Sequence, residues 1–145
     1  MTKKRTGDPW QSPPEYGRTL TGASLNFIVR DVERSLPFYT GLLGFDAVYA
    51  DPDFAALEGH GIKVQLHADH TWERMPWHDR LAAGEGRGLG AEVRVLGPDP
   101  DATERRARSE GFTVVLGATD FPGHAWREVY LEDPDGYLWV VGKAI

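Results

Sequence analysis

Ser24-Leu-Asn-Phe-Ile-Val-Arg-Asp31-Val-Glu-Arg-Ser-Leu-Pro-Phe-Tyr-Thr-Gly-Leu-Leu-Gly44-Phe45 is the stretch whose reading decides the fold. From Ser24 to Arg30 it is apolar and alternating enough for a half-buried strand. Asp31 then offers a side-chain oxygen to the first free N–H groups of a helix. Leu36, Tyr39, Leu42 and Leu43 recur at helical spacing until Gly44, a residue suited to the turn that ends a helix. Pro37 is compatible with a helix beginning after Val32, because a missing N–H costs little in the first turns. The stretch therefore predicts a strand followed by a helix.

Downstream of it, Phe45–Ala50 and Phe54–Leu57 read as strands joined by the turn Asp51-Pro52-Asp53. Ile62, Val64 and Leu66 alternate with Lys63, Gln65 and His67, which predicts a further strand over 62–68. A polar stretch from Asp69 to Gly90 follows, with Gly84-Glu-Gly86-Arg-Gly88-Leu-Gly90 read as a flexible connector. The cycle then repeats, with a strand at 91–96, a charged helix at 101–110 and strands at 112–116, 127–131 and 137–141. Glu132-Asp133-Pro134-Asp135-Gly136 forms the last turn. The order is βαβββ twice, an α+β chain. Residues 1–21 are expected to be an arm without periodic structure, whose Trp10 and Tyr16 dock onto the body or a neighbouring subunit. Residues 22–145 are one domain, with module one at about 22–80 and module two at about 88–145.

With 145 residues, 41% hydrophobic and 26% charged, the composition is that of a globular chain. No cysteine is present, which removes disulfides, thiolate metal sites and Cys nucleophiles. The formal charge of -6 divides into +2 on residues 1–21 and -8 on the rest. An acidic body repels phosphate backbones and anionic membranes, so neither nucleic acid nor membrane is an expected partner. No apolar run approaches the roughly 18 residues of a membrane span, and a cytoplasmic location is expected.

Leu25 to Phe45, together with Leu131-Glu-Asp133-Pro134-Asp135-Gly136-Tyr-Leu-Trp139, resembles the vicinal oxygen chelate superfamily of glyoxalases, bleomycin resistance proteins, extradiol dioxygenases and fosfomycin resistance enzymes. The resemblance implies tandem βαβββ modules curling into a U-shaped, partly open barrel around a central cleft, usually in a homodimer. It also implies four metal ligands in the metal-using members. Their positions fall here on Ser24, Gln65, Gly90 or Ala91, and Val140. Only Gln65 is a donor of any use, whereas a tightly bound divalent ion needs three or four His or carboxylate ligands.

A second donor set, Gln65, His67, Asp69 and His70, is the alternative place for a divalent metal, with His124 or Glu128 from module two to close it. The sequence carries no Gly-x-Ser-x-Gly elbow, P-loop or dinucleotide fingerprint. Glu58 with His60 and Glu128 with His124 are the nearest approaches to an acid/base pair. Trp72, Trp77, Trp126 and Trp139 are abundant flat surfaces for so small a body, and Arg127 can orient a polar group.

The expected ligand-binding set is therefore Gln65, His67, Trp72, Trp77, Trp126, Arg127 and Trp139. The first expectation is a homodimeric protein that binds or sequesters an aromatic or cationic small molecule without a metal or other cofactor. The second is a lyase or dioxygenase using the relocated metal set. The third is an interaction module whose cleft is filled by its own side chains or by the Trp10 arm.

Overall fold

The computed structural model describes residues 2–145 as two four-stranded mixed sheets with helices on one face of each. In module one, β1 (Leu25–Val29) leads into α2 (Val32–Leu36), which continues as a π-helical turn at Pro37–Leu42. β2 (Asp46–Ala50), β3 (Phe54–Gly59) and β4 (Ile62–Ala68) follow. In module two, β5 (Glu92–Leu96), α4 (Pro100–Ser109), β6 (Thr113–Phe121), β7 (Trp126–Glu132) and β8 (Leu138–Ala144) repeat the order. The sheets run β1-β4-β3-β2 and β5-β8-β7-β6, with the first pair of each parallel and the others antiparallel. The fold is α+β, two βαβββ modules in tandem, and the sheets do not join into a closed barrel.

Local chemistry explains the boundaries. Asp31 accepts a hydrogen bond from the Arg34 N–H at 3.0 Å and Asp99 from the Ala102 N–H at 3.1 Å, which starts α2 and α4. Gly44, at φ 77°, makes the left-handed exit from the first helical segment that a side chain would strain.

Each sheet turns one face towards a common core. Val29, Phe38, Tyr39 and Leu57 from module one share a single buried cluster with Val95, Val129, Leu131 and Trp139 from module two. The Asp133–Gly136 turn bonds the modules together. Asp133 accepts from the Tyr39 hydroxyl at 2.7 Å, and Asp135 accepts from the Arg30 N–H at 3.1 Å and its guanidinium at 2.9 Å.

Several segments differ from the sequence reading, β6 among them, which runs five residues beyond the strand expected at 112–116. The arm contains a helix, α1 (Pro13–Thr19), held by a reciprocal cap between Ser12 and Glu15. The glycine-rich connector is pinned, because Arg87 inside it is buried and donates to both oxygens of Asp69, at 2.6 and 2.7 Å, and to the Ile28 carbonyl. A side chain at Gly88 (φ 66°) would also collide with the Tyr137 ring, which lies 2.6 Å from where a Cβ would sit. Before the connector lies α3 (His78–Ala82), a short helix outside both sheets.

Candidate functional site

The outward face of module one and the arm enclose a cavity of about 560 Å³. Strand parity builds its floor. Val64, Leu66 and Ala68 of β4 face the core, so Gln65 and His67 face the other way. Asn26 of β1 and Ala56 of β3 stand directly opposite Gln65, and Phe54 stands opposite His67. Aromatic rings supply the walls: Trp10 stacks on Tyr49 at 5.1 Å and 17°, Tyr16 meets Phe54 edge-on at 5.4 Å, and Trp72 stands perpendicular to the His67 ring at 5.2 Å.

The arm that roofs the cavity is held by one buried carboxylate. Asp53, 2% exposed, accepts from the Lys4 N–H at 2.7 Å and the Arg5 N–H at 3.3 Å, sits 3.7 Å from the Arg5 guanidinium, and pairs with His70 Nε2 at 2.7 Å. Desolvation pushes its pKa up, but the hydrogen bonds from His70 and the two backbone N–H groups outweigh that and hold it below the usual carboxylate range. Its neighbour Asp51 is spent on the turn, accepting from the N–H groups of Asp53 and Phe54 and from the Tyr49 hydroxyl at 2.6 Å.

His67 is a neutral ring. Burial presses its pKa down to about 4, and the Asn26 Oδ1 at 2.6 Å accepts a hydrogen bond from Nδ1–H, leaving Nε2 as an acceptor. Between pH 6.5 and 4 the unfolded chain protonates this histidine while the folded chain does not, so folding stability declines as pH falls through that window. His67→Gln is expected to flatten that part of the profile, measured as the urea midpoint between pH 7 and 4. An unchanged slope contradicts the assignment.

The expected ligand-binding residues separate. Gln65, His67 and Trp72 line the cavity, and Trp77 packs behind Trp72 at 5.9 Å. Trp139 is a correction: it is fully buried on the core side of β8, within 6 Å of the Phe27, Tyr39 and Phe45 rings. Arg127 is a second, since its guanidinium is committed to Asp101 at 2.7 Å and Asp120 at 2.8 Å beside α4. Trp126, paired with Phe121 and Ala144 in module two's sheet, does not line the cavity either.

The relocated metal set is also corrected. Asp69 gives both oxygens to Arg87 and His70 binds Asp53, so the four donors do not converge, and among the described residues no three His, Asp or Glu side chains form a metal-binding group. At the positions the family resemblance assigns, Ser24, Gln65, Gly90 or Ala91, and Val140 do not form a donor set that fits a divalent ion.

Of the two acid/base pairs, Glu58 and His60 are apart. His60 binds the Leu43 carbonyl and Glu58 approaches Lys63. Glu128 and His124 do meet, at 3.3 Å, but Glu128 is fully buried and is engaged by Arg94 and by the Tyr130 hydroxyl at 3.0 Å. That cluster lies on the outward face of module two.

Sequence reasoning missed Tyr49, Phe54, Asp53 and the arm residue Gln11 as parts of the site. For Phe54 the signal was present: pairing the antiparallel strands around Gly59-His60-Gly61 sets it opposite His67.

Comparison with known proteins supports the fold independently. The family model described as Glyoxalase/Bleomycin resistance protein/Dioxygenase superfamily matches residues 23–141. Among solved structures, a glyoxalase/bleomycin resistance protein/dioxygenase from Nocardioides is 24% identical, with 91% of each chain covered and a TM-score of 0.63. A glyoxalase/bleomycin resistance protein/dioxygenase family enzyme from Burkholderia phytofirmans PsJN is 17% identical, covering 84% of this chain and 97% of that one, with a TM-score of 0.69. TioX from Micromonospora sp. ML1 is 20% identical, covering 86% and 97%, with a TM-score of 0.60. No curated protein matches the chain significantly. With the two-module topology and a family match that spans all eight strands but the end of the last, the chain belongs to the Glyoxalase/Bleomycin resistance protein/Dioxygenase superfamily.

Proposed function

We propose that this chain binds an aromatic small molecule without a metal, in the cavity between module one and the arm, and holds it without chemical change. The observation that carries the reading is the cavity itself, about 560 Å³ walled by indole, phenol and phenyl rings, the size and character of a small-molecule site. Its charged lining favours an aromatic over a cationic ligand. Lys3 and Arg5 balance Asp51 and Asp53, and both carboxylates are already saturated by protein donors. No carboxylate is left to compensate a buried cation.

The test is titration of intrinsic Trp fluorescence with acridone, a neutral planar compound, and with proflavine, its cationic counterpart, in the presence and absence of EDTA. Acridone is expected to quench saturably at one equivalent, unaffected by chelator, to be recovered unchanged, and to bind about tenfold more weakly to Trp72→Ala, a loss near 1.4 kcal/mol. Absence of saturable quenching by either compound, or binding abolished by EDTA, overturns the reading.

A further inference from the structure

Five buried side-chain polar atoms among the described residues have no hydrogen-bond partner: Arg5 Nε, Gln11 Oε1, Gln65 Nε2, Arg87 Nε and Trp139 Nε1. Three of the five, on Arg5, Gln11 and Gln65, belong to residues lining the arm-roofed cavity. An unpaired buried donor or acceptor costs about 1–3 kcal/mol, so three of them on residues around one cavity call for a partner there. Gln65 is 8% exposed, and although the Tyr16 hydroxyl approaches its amide, no bond of proper geometry satisfies Nε2. One of these atoms lies on the sheet. The other two lie on the arm, which is outside the region shared with the family.

Resting on the binding function proposed above, we propose that residues 2–20 are one jaw of the site, and that the ligand is an uncharged planar aromatic compound carrying both a hydrogen-bond acceptor and a donor, gripped between Gln65 on the sheet and Gln11 and Arg5 on the arm. The polarity follows from the atoms. Gln65 Nε2 and Arg5 Nε are donors and call for a ligand acceptor such as a carbonyl oxygen, whereas Gln11 Oε1 is an acceptor and calls for a ligand N–H or O–H. His67 Nε2 adds a second acceptor at the floor. The stacking rings hold a planar body, and the balanced charges of the lining leave no attraction for a net ion. The arm is therefore part of the recognition surface and not a tether. Its own contacts with the sheet, through Asp53 and the Trp10–Tyr49 stack, set the width of the gap.

Three bicyclic probes of one shape separate these terms: quinolin-2(1H)-one, with adjacent carbonyl and N–H; naphthalene, with neither; and N-methylquinolinium, a cation. Affinities are measured by calorimetry and Trp fluorescence on the full chain and on Gln65→Leu and Gln11→Leu, which keep the volume and remove the amide. The lactam is expected to bind at least about tenfold tighter than the other two, and each variant is expected to erase that preference. Loss of the preference in Gln65→Leu alone, with Gln11→Leu unchanged, overturns the jaw. Equal affinity for all three probes overturns the polar assignment and leaves the aromatic site standing. No saturable binding of any probe overturns both this inference and the function it rests on.

Discussion

Asp53→Ala is expected to release the N-terminal arm from module one, opening the cavity and exposing the chain to trypsin after Arg18. The argument is one of concentration of bonds. A single carboxylate, 2% exposed, receives two backbone N–H groups of the arm, the Arg5 guanidinium and His70. Hydrogen bonds to a charged group contribute about 1.5–3 kcal/mol each, and the remaining arm contacts include the partly exposed Trp10 stack, the Tyr16 edge contact and a surface bond from Thr2 to Glu73. Loss of about 3 kcal/mol raises the undocked population about a hundredfold, and cleavage that proceeds from the open form accelerates by the same factor. Asp53→Asn, which keeps an acceptor but no charge, is expected to fall between.

The same carboxylate gives folding stability a direction with pH. Because its pKa is lower in the folded chain than in the unfolded one, the unfolded chain binds more protons. The contribution of Asp53 is fully present above the ordinary Asp value near 4 and is lost as pH falls through the folded value. A cleavage rate after Arg18 that Asp53→Ala leaves unchanged removes Asp53 as the anchor, and with it the physical basis for a fixed gap between arm and sheet.

The division between what the residues told and what they withheld follows the range of the interactions. Strands β1 and β4 and the helix after Asp31 were legible because their causes are local: alternation in Ile62–Ala68, a capping oxygen at Asp31, a left-handed exit at Gly44. The α1 helix had a local cause as well, the Ser12-Pro-Pro-Glu15 capping box, but its prolines and glycine read as breakers. Arg87 and Asp53 were illegible for a different reason. Each is a charge in a turn or connector, and what buries it lies far along the chain, with Arg87 reaching 59 residues back to Ile28 and Asp53 reaching 49 back to Lys4.

Trp139 shows the limit of composition. In β8 both faces are apolar, so alternation could not orient it, yet the resemblance that assigns position 140 to the cleft forces position 139 to the opposite face. Counting Trp residues gave the character of the site but not its members. Among the four body Trp residues only Trp72 lines the cavity, and the second ring comes from Trp10 on the arm.

Asp133→Ala is expected to be the most destabilising single change at the junction of the modules, whereas Asp133→Asn is expected to be tolerated. Asp133 is 4% exposed. One of its oxygens accepts from the N–H groups of Asp135 and Tyr137, both at 2.9 Å, and the other from the Tyr39 hydroxyl at 2.7 Å. Truncation strands three donors at the junction at once, and at about 1–3 kcal/mol each the loss is at least about 3 kcal/mol, a large share of the stability of a domain this size. Asn keeps a carbonyl oxygen for the two N–H groups, and the Tyr39 hydroxyl rotates to accept from the new amide.

Asn also removes a buried charge. Burial is the largest influence on Asp133 and raises its pKa, with the Asp135 charge acting in the same sense against the hydrogen bonds that lower it. A carboxyl whose folded pKa is raised favours the folded state fully below its ordinary value near 4, and that contribution is lost as pH rises through the folded pKa. Asp133→Asn is therefore expected to stay within about 1 kcal/mol of the parent at pH 7, with the comparison shifting in the parent's favour as pH falls towards 4. Urea unfolding of both variants at the two pH values decides it. Equal losses for Ala and Asn mean that the carboxylate's charge, not its geometry as an acceptor, joins the two modules.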